Sequence, residues 1–262
     1  MKETKSPIDP VNIYNRFLHL KNEENQALRN KENKEKYSAS GAGMCKHKHW
    51  FDYNGYPKNQ SKEQDLRKMR LGTILGEDFD KAMAWFEKDN LEAQIPENNV
   101  KIYCEKAVSH NILNINGHFD LLIVVEYTNS LKPWRKGYLY DYKTCHSYKY
   151  SQIEKDDTNN YSYQLATYAF MLEDSAELCD EIVSMELLYY NKNDSGIKSQ
   201  KVLNPYKKLA KDYWRDINKN QERINEPTQF GLDMLRTPYK AWECNGYCPY
   251  QEFCKSPHKK EK

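Results

Sequence analysis

Two aspartates and a lysine lie in neighbouring segments of the sequence that otherwise have the composition of buried strands. Asp141 and Lys143 are two residues apart in GYLYDYKT, and side chains at that spacing point to the same face of a strand. Asp120 ends the segment GHFD in the strand-like stretch that comes before. If these two strands are neighbours in a sheet, we expect all three side chains to converge at one end of the pair.

Such a group of residues has the composition needed to bind a metal ion and hydrolyse a phosphate ester. Two carboxylates at short range disfavour each other's ionisation unless a cation lies between them. Mg²⁺ is commonly bound by one or two carboxylates together with water and phosphate oxygens, and it activates the water and polarises the phosphoryl oxygen. A nearby lysine can orient that water or stabilise the charge that develops on the phosphate. The alternative is an ordinary ion pair on an edge strand, which contributes roughly 0 to 1 kcal/mol.

The elements that would position these residues form a mixed α/β pattern. Apolar residues at helical spacing predict a helix over residues 63–90, interrupted by Gly72 and Gly76. After it the pattern predicts three strands, at residues 100–108, 112–127 and 137–144, and then a helix at 161–173. A strand at 181–191, paired with a short segment at 199–204, and a C-terminal amphipathic helix at 205–225 follow. Residues 1–36 are predicted to form a charged N-terminal helix and linker, ahead of one large domain over residues 37–262.

Three short motifs occur in a fixed order along the middle of the chain. They are G-x-x-D at 117–120, D-x-K-T at 141–144 and Q-x-x-x-Y at 164–168. Together they resemble the PD-(D/E)XK nuclease superfamily, particularly its RecB-like branch. The resemblance implies a restriction-endonuclease-like fold, in which a mixed sheet core is flanked by helices. It also implies a hydrolase that cuts the phosphodiester bonds of DNA, as an exonuclease.

The resemblance implies a role for each residue of these motifs. Asp120 and Asp141 would bind Mg²⁺ or Mn²⁺, and Lys143 would assist the attacking water. Gln164 and Tyr168 are one helical turn apart and would face the site, although the same spacing also suits an ordinary core helix.

The upstream metal ligand is the point at which this sequence departs from the family's pattern. Relatives usually have a His or Glu on the helix before the first strand, in a G-x-x-x-H setting. Gly76 stands where the histidine is expected. Glu77 is the nearest replacement as a metal ligand, with Asp78 behind it, although Glu77 also suits a solvated helix position. Glu105, at the end of the first strand, is a further acidic candidate.

The seven cysteines are unevenly distributed along the chain. Cys244, Cys248 and Cys254 have the spacing C-x3-C-x5-C, and Cys45 stands alone near the N-terminus. Three clustered thiols need a fourth ligand to complete a tetrahedral or cluster site, and Cys45 is the best candidate. The remaining three cysteines are interpreted as small buried apolar residues.

This arrangement resembles the iron–sulfur nucleases of the RecB-like branch, which include CRISPR-associated RecB-like exonucleases, AddB-type helicase–nucleases and phage relatives. The resemblance covers roughly residues 38–256. It implies a [4Fe–4S] cluster held by Cys45, Cys244, Cys248 and Cys254, which joins the N- and C-terminal segments. Zinc is the alternative, because four thiolates suit either metal.

Charge and aromatic content limit the nucleic-acid partners. A net charge of +2 over 262 residues excludes the global basic field of a protein that coats nucleic acid, but it leaves room for a local basic surface. Basic side chains beside aromatic rings suit single-stranded DNA or DNA ends. Two groups have this composition: Lys132, Trp134, Arg135 and Lys136, which are predicted to bind DNA, and Lys46, Lys48, His49 and Trp50 beside Cys45.

The sequence also suggests a compartment and a set of functions. It lacks an apolar signal core at MKETKSPIDP and an apolar run of membrane-spanning length. We therefore expect a cytoplasmic protein, from a bacterium or from a phage in a bacterial host, with no membrane partner. The expected setting is DNA recombination or repair, phage DNA metabolism or CRISPR adaptation, as a homo-oligomer or with a partner protein. The alternatives are an inactive DNA-binding subunit with the nuclease fold, or a zinc-stapled nucleic-acid interaction module.

Overall fold

The computed structural model describes residues 10–32, 36–89, 99–127, 134–153, 160–221, 223–224, 243–244 and 248–254. Within them the helices are α1 (Pro10–Glu32), α2 (Lys46–Tyr53), α3 (Glu63–Asp89), α4 (Ser147–Gln152), α5 (Asn160–Ser175) and α6 (Pro205–Gln221). The strands are β1 (Tyr37–Ser38), β2 (Asn99–His110), β3 (Ile115–Tyr127), β4 (Trp134–Cys145), β5 (Glu181–Asn191) and β6 (Ile197–Lys201). None of the described helices is both long and apolar enough to cross a membrane.

The described strands form one mixed sheet around β3. β3 pairs antiparallel with β2 along one edge and antiparallel with β4 along the other, while β1 adds a short parallel pair at the start of β3. β4 and β5 are parallel, and β6 closes the sheet antiparallel to β5. Because a parallel pair needs a crossover connection, the chain between β4 and β5 carries α4 and α5. This mixed α/β architecture confirms the predicted fold class.

The main core lies between the sheet and α5. Most of the side chains of α5 are buried, in keeping with its apolar sequence. α6 packs on α5, and the Nε1–H of Trp214 donates a hydrogen bond to Thr167 Oγ1 at 2.9 Å. A second, smaller core of Trp50, Phe51, Ile224 and Tyr250 joins α2 to the C-terminal part of the chain. α5 is therefore held rigidly between the sheet and α6, which fixes the polar side chains that it directs at β4.

The structure differs from the sequence-based expectation in four helices, one of which is the short α4, which was not predicted. α3 runs without a break through Gly72 and Gly76, because an isolated glycine costs a helix only about 1 kcal/mol. α1 extends to Glu32 through residues predicted as a linker, which are rich in good helix formers. α2, which follows Cys45 directly, was not predicted. The domain boundary at residue 36 stays a prediction, although Asn15 of α1 contacts Glu63 and Arg67 of α3 at 2.6 Å each.

Candidate active site

The backbone pairing of β3 with β4 ends next to Asp120 and Asp141, the two predicted metal ligands. The last paired residues are Leu121 and Tyr140, so Asp120 and Asp141 are the next two residues in the register and lie opposite each other. Instead of a further backbone pair, Asp120 Oδ2 accepts a hydrogen bond from the Tyr142 N–H at 2.6 Å. The sheet thus brings together the two carboxylates that the sequence predicted to converge.

Lys143 and Gln164 complete the group around Asp141. Lys143 Nζ lies 2.5 Å from Asp141 Oδ2, and Gln164 Nε2 donates a hydrogen bond to Asp141 Oδ1 at 3.1 Å. The Asp141 side chain is only 1% exposed and that of Lys143 is 17% exposed. Lys143 Nζ also lies 4.9 Å from the centroid of the Tyr161 ring, an aromatic neighbour that the sequence analysis did not identify. Both ends of the D-x-K motif are therefore held by α5.

The ring of Tyr168 packs directly on Gly117. A Cβ atom on Gly117 would lie 3.0 Å from Tyr168 Cε1 and 3.0 Å from its hydroxyl oxygen, which is too close for an ordinary contact. The glycine of the G-x-x-D motif therefore makes room for the tyrosine of the Q-x-x-x-Y motif. Burial raises the pKa of Tyr168, and Asp141 and Asp120 raise it further. Tyr168 thus lies within the electrostatic field of both acids and remains a neutral phenol.

The pKa values show that this site concentrates negative charge in a buried place. Burial raises the pKa of Asp141 to about 7, and Asp120 adds to the shift while Lys143 opposes it. Burial also raises the pKa of Asp120, against Lys143 and the Tyr142 N–H. Burial lowers the pKa of Lys143, but Asp141 and Asp120 outweigh it and leave the pKa above its ordinary value. Lys143 is therefore a cation, and the acids have a deficit of positive charge around them.

Two further acids lie near this pair. Asp80 of α3 is close enough that Asp120 helps to raise its pKa, after the larger effect of burial. Its Oδ1 atom is buried without a hydrogen-bond partner among the described residues. Glu105 of β2 stands opposite Asp120 in the register and has a left-handed φ of 46°, a conformation that non-glycine residues adopt rarely and often at functional sites. The sequence analysis considered Glu105 and missed Asp80.

Glu77, the predicted upstream ligand, lies on a different part of α3. Its side chain is 50% exposed and forms an ion pair with Arg70 at 3.2 Å. Asp80 is one turn beyond Gly76, on the same face of α3, and it lies close enough to Asp120 for that acid to raise its pKa. A Cβ atom on Gly76 would meet no other atom within 4 Å. The metal role of Glu77 stays a prediction.

The residues present suit a hard divalent cation. Carboxylate oxygens are the ligands that Mg²⁺ and Mn²⁺ prefer, and a cation would relieve the raised pKa values of Asp120 and Asp141 and satisfy the buried oxygen of Asp80. In the part of the chain that the structure describes, no three His, Cys, Asp or Glu side chains are arranged to hold an ion. A site of this kind would use Asp120 and Asp141, with Asp80 as a candidate third carboxylate, and would complete its shell with water and phosphate oxygens.

The predicted cysteine ligands approach each other in two pairs. The pKa of Cys45 is raised to about 12, mainly by burial, with contributions from Glu243 and Cys244. Burial raises the pKa of Cys248, and Cys254 adds to that shift. Glu243 Oε1 accepts a hydrogen bond from the Cys45 N–H at 2.9 Å, which ties the C-terminal segment to the start of α2. Among the described residues, which include all four of these cysteines, no three such side chains are arranged to hold a metal ion, so the cluster stays a prediction.

The predicted DNA-binding hairpin lies far from the acids along β4. Lys132 is outside the described residues. Trp134 is 46% exposed, but it is seven residues from Asp141, about 23 Å at ~3.3 Å per residue. Lys136 Nζ lies 5.2 Å from the Tyr127 ring. Arg135 donates hydrogen bonds to both Asp180 oxygens and to two backbone oxygens just after α5.

These contacts predict that Arg135 stabilises the fold. Arg135→Ala should lower the free energy of unfolding by about 2 kcal/mol, since hydrogen bonds between charged partners contribute about 1.5 to 3 kcal/mol. Chemical denaturation of the purified variant measures this, with Lys136→Ala as the matched control on the same strand. Unchanged stability together with weaker DNA binding would instead support the role predicted from the sequence.

The second predicted DNA-binding group is divided between surface and core. His49 is buried, its Nε2 lies 2.9 Å from Gly41 O and 2.8 Å from the Tyr213 hydroxyl, and burial lowers its pKa to about 4. Trp50 is 2% exposed and donates to Ile224 O at 3.1 Å. Both rings pack inside the protein and are not available for base stacking. Lys46 forms an ion pair with Asp216 at 2.5 Å.

A mixed sheet whose central strand pair ends in two aspartates, beside a lysine and under a helix that carries glutamine and tyrosine, defines a restriction-endonuclease-like core. The chain belongs to the PD-(D/E)XK nuclease superfamily, whose family profile matches residues 62–255. Nucleases of this superfamily act on nucleic acids and generally use divalent metal ions such as Mg²⁺ or Mn²⁺.

One solved structure supports the fold, and a second is less similar. The crystal structure of SSO0001 has a TM-score of 0.50 and 15% identity over 93% of this chain and 96% of that one. A candidate exonuclease from Eubacterium rectale, solved at 2.19 Å, has a TM-score of 0.43 and 14% identity over 87% of this chain and 92% of that one. No curated protein matches the chain.

Proposed function

We propose that this protein is a metal-dependent DNA exonuclease of the RecB-like branch, with a structural [4Fe–4S] cluster. The observation that carries the proposal is the convergence of Asp120, Asp141 and Lys143 where the β3–β4 ladder ends. A buried acid with a raised pKa beside a second acid and a cation is typical of a catalytic site rather than of a surface ion pair. Recombination, phage DNA metabolism and CRISPR adaptation are the settings that we propose for it.

Each residue of the site has a role in this mechanism. A bound Mg²⁺ or Mn²⁺ would supply positive charge and lower the pKa of a coordinated water. Asp120 and Asp141 would hold it, and Gln164 fixes the Asp141 carboxylate through the bond to Oδ1. Lys143 places its ammonium beside Asp141, where it would stabilise the negative charge that develops on the phosphate. The Tyr161 ring keeps that ammonium in place.

The test is a cleavage assay with end-labelled single- and double-stranded DNA. We expect nucleotides to be released with Mg²⁺ or Mn²⁺ and none in EDTA. The matched variant is Asp120→Asn, which keeps the shape of the side chain and removes its charge. Equal cleavage by this variant would contradict the assignment of the site, and release of label from one end only would establish the polarity.

Asp80 and Glu77 are competing candidates for the upstream carboxylate. Asp80→Asn should lower cleavage at least about tenfold at limiting Mn²⁺ and raise the Mn²⁺ concentration needed for half-maximal activity, because a metal-site neighbour typically changes affinity about 10- to 100-fold. Glu77→Gln should leave both quantities within twofold of the wild type, because Glu77 pairs with Arg70 on an exposed face. A metal titration of the initial rate compares the two variants. The reverse order would restore Glu77 as the ligand.

An inactive DNA-binding subunit is the second candidate function. The observation that favours it is Gly76, which stands where relatives have a metal ligand and has open space around its Cα. DNA binding without cleavage under every divalent metal would support this alternative. Gly76→His, which the open space accommodates, should then create metal-dependent cleavage in an otherwise inactive protein.

A further inference from the structure

The edge of the sheet nearest the acids is formed by the C-terminal ends of β4 and β5. These strands are parallel, with Cys145 beside Asn191, so both end at the same edge, two residues past Lys143. α4 begins there at once, and its Ser147 N–H donates to Asn193 Oδ1 in the β5–β6 hairpin at 3.4 Å. The Lys192 N–H donates to Cys145 O at 3.0 Å. α4 and the hairpin thus form one continuous surface next to the candidate active site.

This surface presents an aromatic ring to solvent. Tyr148 on α4 is 81% exposed, more than any other tyrosine among the described residues, and Tyr161 at the start of α5 is 37% exposed. The Tyr161 ring contacts the Lys143 ammonium at 4.9 Å. Two partly solvated rings therefore flank the side of the site on which Lys143 lies.

Three lysines lie on the same surface. Lys198 Nζ lies 4.8 Å from the Tyr150 ring on the inner part of α4. Burial raises the pKa of Cys145, but Lys192 and Lys149 act against that shift, so both lysines are close to this strand end. Asp194 is the opposing acid in the hairpin, and its Oδ1 accepts the Gly196 N–H at 2.9 Å. Among the described residues of α4 and the hairpin, three lysines therefore stand against one aspartate.

We propose that this tyrosine–lysine rim, made of Tyr148, Lys149, Tyr161, Lys192 and Lys198, binds the single-stranded DNA that enters the active site. The inference rests on the proposed function and adds to it the strand form of the substrate. Lysines along a groove pair with phosphates, and exposed rings stack on bases. Single strands offer unstacked bases to such rings, whereas the bases of a duplex already stack on each other.

The rim differs from the surface predicted from the sequence. Trp134 lies at the opposite end of β4, eleven residues before Cys145, about 36 Å away at ~3.3 Å per residue. The two surfaces therefore make separable predictions for DNA affinity.

The test measures by anisotropy the affinities of a fluorescein-labelled oligothymidylate and of a labelled duplex of the same length. The full chain carries Asp141→Asn and Ca²⁺ is present, so that binding is independent of cleavage. In that background Tyr148→Ala should weaken binding about tenfold, while Tyr148→Trp should stay within twofold of the parent. Trp134→Ala is the control for a similarly large exposed ring at the far end of β4. Lys149→Gln with Lys192→Gln should reduce the slope of log affinity against log salt by about 1.4, at ~0.7 per phosphate contact on single strands.

The outcomes separate this inference from the proposed function. If the wild type cuts DNA and Tyr148→Ala binds as the parent does, the rim is wrong and the nuclease stands. If Tyr148→Ala weakens single-strand and duplex binding equally, the rim contacts DNA but the inferred preference for single strands is wrong. Selective loss of single-strand binding supports the rim, even if the wild type proves unable to cut.

Discussion

Asp141→Asn should reduce metal-dependent DNA cleavage on the order of a thousandfold or more. The amide has the shape of the carboxylate, and its oxygen can still accept the hydrogen bond that Gln164 donates to Asp141 Oδ1 at 3.1 Å. It cannot supply the negative charge that lies 2.5 Å from Lys143 and that would bind a divalent cation. The substitution therefore isolates charge from packing at the centre of the site.

Single-turnover cleavage of end-labelled DNA, at saturating Mn²⁺, measures this effect. Asp212→Asn on α6 is the matched control, because Asp212 is exposed and pairs only with the neighbouring Arg215 in the same helix at 3.2 Å. Both variants lose one carboxylate, so a loss confined to Asp141→Asn is specific to the site. Cleavage within tenfold of the wild type would remove Asp141 from the mechanism.

The pH dependence of stability distinguishes an inactive fold from an unfolded protein. The Asp141 pKa is raised to about 7 in the folded protein, against about 3.9 in an unfolded chain. The folded state thus binds more protons between those values, and the free energy of unfolding falls as pH rises from about 4 to about 7. Asp141→Asn should reduce this slope. Thermal melts in EDTA from pH 5 to pH 8 measure this slope. A variant that melts well below the wild type at every pH would be destabilised as a whole, and its loss of activity would then not be specific to the site.

The positions of the residues in the three motifs could be predicted because their spacing is local. Asp141 and Lys143 share a face through strand periodicity, and Gln164 and Tyr168 share one through helical periodicity. The two strands are consecutive, so their pairing and the approach of Asp120 follow from the commonest sheet connection. The structure agrees on each of these placements.

Residues whose position depends on packing between distant elements could not be predicted. Asp80 faces Asp120 because of the way α3 lies across the sheet, where Phe79 stacks on Tyr142 with ring centroids 4.5 Å apart. Nothing in the spacing around Gly76 indicates that crossing. Arg135 is a basic residue next to an aromatic one, a pattern that is typical of a DNA contact. In the structure, however, Asp180, which follows α5, forms a hydrogen bond with it. His49 and Trp50 likewise are core residues because α2 packs on α6, through Tyr213 and Trp214, and on the C-terminal part of the chain.

The second large expected effect is the loss of iron when a cysteine of the C-terminal segment is replaced. We expect protein purified without oxygen to be brown and to carry about four irons per chain, and we expect Cys248→Ser to lose the iron. The contacts that hold this segment exist without the metal: the Tyr250 hydroxyl donates to Asp52 Oδ1 at 2.5 Å, and Pro249 O accepts the Asn59 N–H at 3.1 Å. These contacts hold the segment that carries Cys248 against α2 and the residues that follow it, where we expect the cluster to form.

The cluster should raise stability mainly by closing a long loop. Linking Cys45 to the three late cysteines closes about 200 residues, and a cross-link over a loop of that size contributes about 5 kcal/mol in the chain-entropy view. For a chain of this length that corresponds to a Tm change of about 10 °C. Iron analysis and calorimetry on the wild type, Cys248→Ser and the control Cys104→Ser measure both quantities. Cys104 contacts Asp80 rather than the other cysteines, so its variant should keep its iron.

The same experiment separates a cluster from zinc and from a stable metal-free segment. A colourless protein with one zinc per chain would replace the cluster by a tetrahedral thiolate site, which spacing alone cannot distinguish. A metal-free protein that melts with the wild type would mean that the aromatic core of Trp50, Phe51 and Tyr250 suffices to hold the segment. Cys248 and Cys254 pack against that core, but its four buried residues and the hydrogen bond from the Cys45 N–H to Glu243 contain no thiol group. The C-terminal segment should therefore stay docked in Cys248→Ser, whose side chain is close in size to the original. The loss of stability should then come from the open loop and not from a lost interface.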